Sequence, residues 1–352
     1  MNATCSASLL RVSPRKYLLS SSRWAGVAGL MAGLFATELS AATLTVGPGQ
    51  TYKTIASAVA AAHNGDTVNV TAGLYVNDYP VINTNITLQA VGGMARIQSI
   101  GFIPNEKGII LVNASATISG FMLYGAKVTE NQGGNGAGIR YQGGNLTLIN
   151  CYIYNNEDGM LANPVSNATI TIKNSEFYHN GAATGASSGY THNLYVNDVA
   201  KLDIENSYFH GANVGHEIKS RAAMTIVNNT RIVDGPTGTA SYSIDLPQGG
   251  VAVITNNYIE QGPDTQNPII IAYGEEGGVY NGSSLTLQNN LIENDLHSGN
   301  ALGLWNTTGI TATMSGTSAF GLNQGQLTSG PVTVTGTKWL TAEPAIPAKH
   351  PW

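Results

Sequence analysis

The chain has 352 residues, enough for one large repetitive domain or two ordinary ones. Charged residues make up only 11% of it, against roughly 25% in a typical soluble domain, and the formal net charge is −5. That balance argues against a general nucleic-acid binder but leaves an acidic polysaccharide open, since a local basic patch suffices to hold one.

Residues 1–42 read as an export leader. Arg11, Arg15, Lys16 and Arg23 precede an apolar run from Trp24 to Phe35, and Ser40-Ala41-Ala42 offers small residues for cleavage. The run is shorter than the ~20 residues a spanning helix needs, which favours secretion or periplasmic export over a membrane anchor. No other transmembrane candidate follows. Cleavage removes Cys5 and leaves Cys151 alone, so no internal disulfide is expected and Cys151 reads as a packed core residue.

The next segment, Leu44 to Tyr52, is strand-like and Gly-rich. An apolar-periodic stretch from Thr54 to Ala62 predicts a helix, and strands follow at Thr67–Val70 and Ile86–Ala90. From residue 146 onward one phrase returns six times: an alternating strand, an Asn, then a second apolar pair. The first instance is Leu146-Thr147-Leu148-Ile149-Asn150-Cys151-Tyr152-Ile153. The Asn of the six phrases are Asn150, Asn174, Asn206, Asn228, Asn256 and Asn289, spaced between 22 residues (206 to 228) and 33 residues (256 to 289). A single such unit cannot bury its apolar face, so units stack as coils of a solenoid, about 4.8 Å apart, and the Asn amides are expected to pile at one corner. A second strand series alternates with the first and predicts an inward column of Ile139, Met160, Leu194, Ile218 and Ile244. Residues 305–352 lack the phrase but carry Thr- and Gly-rich strands and then a Pro-containing tail, which divides the chain into a leader at 1–42, a parallel β-helix at 43–310, and C-terminal coils with a covering tail at 311–352.

This order of strand, capping helix and repeated coils resembles the right-handed parallel β-helix proteins of the pectate-lyase-like superfamily, over about residues 44–310. The resemblance implies an all-β solenoid whose open end is plugged by the short helix. It carries no single activity, because the superfamily includes lyases, hydrolases, epimerases and non-catalytic proteins. Gly215-His216-Glu217-Ile218-Lys219 echoes part of the polygalacturonase pattern, but the Asp cluster of those hydrolases is missing. The Asp-Pro-His-Asp element of alginate epimerases and the Arg-x-Pro-x-x-Arg element of pectate lyases are absent too.

The alternation places a chemical grid on the outer face of three successive coils. Asn193, Tyr195 and Asn197 lie on one strand, Glu217, Lys219 and Arg221 on the next, and Ser243 and Asp245 on the third, with His192 and His216 at matching strand starts. β-Elimination or epimerisation at C5 of a uronic acid needs a base, a cation on the carboxylate and an acid for the leaving oxygen. Lys219 is the expected base, with a pKa lowered by Arg221, and Arg221 is the expected carboxylate clamp. Tyr195 or His192 is the expected proton donor, with His216 at the edge and Asp245 in the same column. Asn193, Asn197, Glu217, Arg140 and Gln248 are expected substrate contacts. The competing reading makes Lys219, between Glu217 and Asp245, a salt-bridge ladder. On the catalytic reading, Lys219→Ala should spare the fold, as an exposed Lys contributes little.

Asp245 with Glu275 and Glu276 offers hard oxygen ligands for Ca²⁺, against the plainer reading of a solvated turn. His63, His179, His210, His297 and His350 show no zinc spacing. The sequence thus points to an exported carbohydrate-active β-helix on a uronic-acid polysaccharide, with a lyase as the leading reading. A non-catalytic glycan-binding or surface-structural module and a hydrolase using Glu217 and Asp245 remain as alternatives.

Overall fold

Strands of three to five residues gain stability here by stacking. The computed structural model describes residues 40–296 and 299–348. The expected leader lies outside them except for Ser40, Ala41 and Ala42, as do His297 and His350. Each central coil holds three strands. One coil, for example, runs through Leu146–Ile149, Tyr152–Tyr154 and Asp158–Ala162; the next runs through Val165–Lys173, Glu176–Tyr178 and Leu194–Val196. Corresponding strands pair in parallel. The first two strands of successive coils join one 21-stranded sheet, and the third strands form a 10-stranded sheet. The chain is an all-β parallel solenoid, as the sequence predicts.

The bend between the first two strands needs a residue with left-handed backbone. Asn150 (φ 52°), Asn174 (49°), Asn206 (52°), Asn229 (49°), Asn256 (59°) and Asn289 (55°) supply it. Asn and Gly tolerate that region, which costs other residues about 1–2 kcal/mol. One register differs from the sequence reading. The corner residue is Asn229, and Asn228 ends the preceding strand, opposite Glu205 and Thr255. The pleat decides between the two adjacent Asn, because a one-residue slip exchanges faces. Thr225 and Val227 point inward, while Met224 and Ile226 are half-exposed.

The amide ladder is shorter than expected. Asn229 Nδ2 donates to Asn206 Oδ1 at 2.7 Å, Asn256 Nδ2 to Asn228 Oδ1 at 3.0 Å, and Asn289 Nδ2 to Asn256 Oδ1 at 3.5 Å. A buried ladder runs one residue further on: Ser175 Oγ accepts the Cys151 N–H, Ser207 Oγ the Ser175 N–H, and Asn257 Oδ1 the Thr230 N–H. Cys151 is buried and free, and burial pushes its thiol up to about 11.

The predicted inward column is present and longer than foreseen. Ile110, Ile139, Met160, Leu194, Ile218, Ile244, Ile271 and Leu304 align in register and are fully buried. Each such side chain stabilises the fold by roughly 1.5–3 kcal/mol. The N-terminal end is closed by the helix Ile55–Ala61, which turns Ile55, Ala58 and Val59 inward. The Asp78 carboxylate accepts the Ile55 and Ala56 N–H groups at 2.6 and 2.9 Å, satisfying two donors of the helix's first turn.

No break falls at residue 310. Strands Ala312–Ser315, Ser318–Phe320, Val332–Thr335 and Lys338–Trp339 continue the stack, and residues 41 onward form one unit. Gly316 (φ 62°) and Gly336 (φ 67°) take the corner position there, so the Asn that marks the phrase is missing while its backbone persists. Among the described residues no helix is long and apolar enough to cross a membrane.

The corner argument predicts that Asn174→Ala lowers stability by about 1 kcal/mol, whereas Asn174→Gly leaves it within a few tenths. Denaturant unfolding of the two variants checks this; equal losses would show that the side chain, and not the backbone, carries the position.

Candidate functional site

The site is built from three adjacent side-chain columns at the ten-stranded sheet. The first contains Asp158, His192, His216 and Tyr242, each two residues before an inward core residue. Each of the first three side chains accepts the backbone N–H of the next member: Asp158 Oδ1 from His192 at 2.8 Å, His192 Nδ1 from His216 at 3.0 Å, and His216 Nδ1 from Tyr242 at 3.2 Å. An Nδ1 that accepts leaves the neutral ring's proton on Nε2. The two imidazoles stack at 4.6 Å, and burial pushes His192 down to about 3 and His216 well below its ordinary value. Both are therefore neutral Nε2–H donors, and neither has a free lone pair with which to act as base. Gly215 permits this approach: a Cβ there would lie 1.9 Å from the Thr191 carbonyl oxygen.

The second column corrects the sequence reading. Asn193 and Glu217 are fully buried and do not face the groove. Asn193 Nδ2 donates to Glu217 Oε2 at 2.5 Å, the Ala212 N–H donates to Glu217 Oε1 at 2.8 Å, and Asn180 Nδ2 donates to Asn193 Oδ1 at 2.7 Å. The chain is still turning into the strand at these positions, so their side chains tuck into an internal ladder. Both Glu217 oxygens are occupied, which removes the two-carboxylate pairing of Glu217 with Asp245 and the substrate contacts expected of Asn193 and Glu217.

The third column is the expected one: Arg140, Leu161, Tyr195, Lys219, Asp245 and Ala272 follow one another in register. It points away from the core but is covered. Asp245 is completely buried and Lys219 nearly so, because the turn carrying Glu275 and Glu276 folds over them. Lys219 Nζ donates to Asp245 Oδ2 at 2.6 Å and to Glu276 Oε1 at 2.9 Å. Arg221 Nη2 donates to Glu276 Oε2 at 2.5 Å, and Arg221 Nε to the Tyr195 hydroxyl at 2.9 Å. His216 Nε2 lies 3.3 Å from Asp245 Oδ2.

These contacts overturn the expected lowering of the Lys219 pKa. Burial opposes its charge, but Asp245 and Glu276 outweigh that and hold the ammonium above its ordinary value. Burial likewise works against Glu276, yet hydrogen bonds from Lys219 and Arg221 keep it ionised. Below them, burial and the Asp245 charge push Glu275 up to about 8. Asp245 Oδ1 and Glu275 Oε2 receive no other donor among the described residues, so this carboxyl pair is satisfied by one shared proton. The fold also changes the expected effect of Lys219→Ala. A buried carboxylate stripped of its cation costs about 3–5 kcal/mol, so that variant is destabilised.

Oxygens of Asp245, Glu275 and Glu276 all come within 4.8 Å of one another, a spacing that fits a cation. Lys219 Nζ, however, already bonds two of the three carboxylates, and the ammonium supplies there the charge that Ca²⁺ would bring.

The remaining sequence candidates sit at the margins. Asn197 is half-buried and accepts the N–H of its neighbour Asp198 at 2.8 Å. Gln248 is half-buried in the turn after Ile244–Leu246. Arg140 lies two coils before Tyr195, with burial lowering its pKa. Tyr242 was legible as the third member of the His192–His216 column. Tyr280, whose hydroxyl lies 2.8 Å from Asp198 Oδ1 and 2.9 Å from the Arg221 carbonyl, follows a turn of irregular length and was not.

No protein-family model matches the chain, and a sequence comparison with curated proteins finds no relative. Solved structures do. An alginate lyase from Paenibacillus sp. strain FPU-7 superposes with a TM-score of 0.58 at 17% identity, covering 84% of this chain and 99% of that one. The ORF18 protein of Geobacillus virus E2 gives 0.51 at 13% identity, covering 79% and 54%. The fold they share with this chain is the right-handed parallel β-helix. Identities this low establish the architecture of the β-helix and leave its chemistry to its own residues.

The buried acids set a pH dependence. Asp234 and Glu293 are pushed up to about 7, and Glu260 and Glu275 to about 8, each chiefly by burial. Between pH 6.5 and 8 the folded state thus holds protons that the unfolded chain has released, and stability falls as pH rises through that window. Below about pH 6.5 the buried neutral His192 and His216 oppose the trend, because their unfolded forms take up protons. Thermal unfolding should show a Tm several degrees higher at pH 6.5 than at pH 8; a Tm that rises toward pH 8 would contradict the assignment.

Proposed function

We propose that this β-helix is an exported enzyme that cleaves an acidic, uronic-acid-containing polysaccharide by β-elimination. The observation that carries the reading is the grip of two cations on one carboxylate: Lys219 Nζ holds one oxygen of Glu276 and Arg221 Nη2 the other. That fork is what a uronate carboxylate needs, and in a chain with 11% charged residues its assembly is costly without a use. The Paenibacillus protein of similar fold is described as an alginate lyase, which agrees with this reading.

In the proposed reaction the substrate carboxylate takes the place of Glu276. Charge-assisted hydrogen bonds from Lys219 and Arg221 then stabilise the negative charge that spreads onto it as the C5 proton leaves. Tyr195 relays that proton. Its oxygen accepts the Arg221 Nε–H, so negative charge that develops on it during the reaction lies against a guanidinium. The phenolate takes the proton from C5, the C4–C5 double bond forms, the C4–O4 bond breaks, and the phenol returns the proton to O4. Lys219 is a charge donor in this scheme, held by Asp245, and His216 fixes Asp245 from the other side.

A non-catalytic reading has one observation in its favour: the ion pairs of Lys219, Arg221, Asp245 and Glu276 satisfy one another without any ligand. Turnover separates the two. Incubation with polyuronates should generate the ultraviolet absorbance of a conjugated C4–C5 double bond. Tyr195→Phe should lower kcat by about 10²–10⁴-fold with little change in stability, as loss of a proton-transfer group does. Arg221→Lys should lower kcat/KM about tenfold or more, because an ammonium cannot reproduce the planar group that reaches the carboxylate through Nη2 and the Tyr195 hydroxyl through Nε. Wild-type turnover in both variants would remove the assignment, and binding without any unsaturated product would favour the module.

A further inference from the structure

Glu276 is the least enclosed member of the ion-pair network. Its side chain is 43% exposed, against 10% for Lys219 and 18% for Arg221. The backbone around it is fastened by its own N–H to the Pro247 carbonyl and by the Gly274 N–H to the Leu246 carbonyl. On its outer side the turn faces open space, since a Cβ added at Gly277 would meet nothing within 4 Å. The carboxylate can therefore swing outward by side-chain rotation while the turn stays in place.

Charge makes that swing conditional. Asp245 and Glu275 share one proton and carry one negative charge, while His192 and His216 are neutral. With Lys219 and Arg221 cationic, Glu276 brings the cluster to neutrality; once it leaves, the cluster carries one uncompensated positive charge in a poorly solvated place. A ligand carboxylate restores the balance and a neutral sugar does not.

We propose that Glu276 is a built-in stand-in for the substrate's carboxylate, a displaceable plug that lowers affinity for every ligand and admits only those bearing a carboxylate at the fork. The proposal rests on the uronate reading for the ligand's identity, but the plug itself is testable without any sugar. It makes Glu276 a specificity-determining residue that competes with substrate instead of binding it.

The decisive pair of measurements uses Glu276→Gln, with Glu276→Ala as a second variant in case the amide oxygen still bridges the cations. First, phenylglyoxal modification of Arg221 is followed by mass spectrometry in the absence of ligand. Both variants should react several-fold faster than the wild type, and excess acetate should protect the variants more than the wild type. Second, calorimetric titration with a uronate tetrasaccharide should show Kd falling about tenfold in the variants, as expected when a closed state that outnumbers the open one by that factor is removed. A neutral glucan tetrasaccharide, which needs the same opening, should gain by a similar factor and remain the weaker ligand. Unchanged Arg221 reactivity would overturn the plug even where the lyase reading stands. Faster modification without uronate binding in any form would keep the gated anion seat and sink the uronate reading. Weaker uronate binding in the variants would make Glu276 a substrate contact and end the proposal.

Discussion

The structure depends on a backbone constraint: one residue per coil must adopt a left-handed conformation between the first two strands. Asn or Gly at that position lets every coil turn at the same place, and parallel pairing then carries the register from coil to coil. The side-chain columns are consequences of that register. Met160, Leu194, Ile218 and Ile244 fall above one another inside, so Leu161, Tyr195, Lys219 and Asp245 must do so outside. A one-residue slip in any coil would bury the cations and expose the core.

The site shows how a chain so poor in charge can keep several charges together. Lys219 is nearly buried, a position that favours a neutral amine, yet Asp245 and Glu276 hold it ionised. Asp245 is buried too, and a shared proton with Glu275 prevents a second negative charge beneath it. The two imidazoles beside it are kept neutral, their Nδ1 atoms used by backbone N–H groups and their Nε2–H groups left to donate. The network is balanced and closed by Glu276, its most accessible member. Lys219 is thus better suited to neutralising a carboxylate than to removing a proton, and the proposed reaction therefore gives the mobile proton to Tyr195.

Much of this was legible in the sequence, for physical reasons. A period-two pattern with a recurrent Asn reports strands and a left-handed corner directly, which is why the fold and the Tyr195–Lys219–Asp245 column could be read. Where two Asn stood together, at 228 and 229, the phrase alone could not choose, and the pleat of Thr225 and Val227 chose the second. Where Gly316 and Gly336 served the corner, the mark vanished, so the coils beyond 310 were read from their Thr- and Gly-rich strands and not from the phrase. At the site, alternation failed at strand entrances: Asn193 and Glu217 obey the turn, not the pleat, and lie inside. Glu276 was visible as an acid but not as the partner of Lys219 and Arg221, because a turn of its own length separates it from the repeat.

The central claim is that Lys219 and Arg221 form a seat for a uronate carboxylate. The most direct measurement is a crystal structure of the Tyr195→Phe protein with a uronate oligosaccharide. The account predicts one sugar carboxylate lying between Lys219 Nζ and Arg221 Nη2, with the Glu276 side chain turned out of the fork. An oligosaccharide bound elsewhere, with Glu276 still bridging both cations, would contradict it.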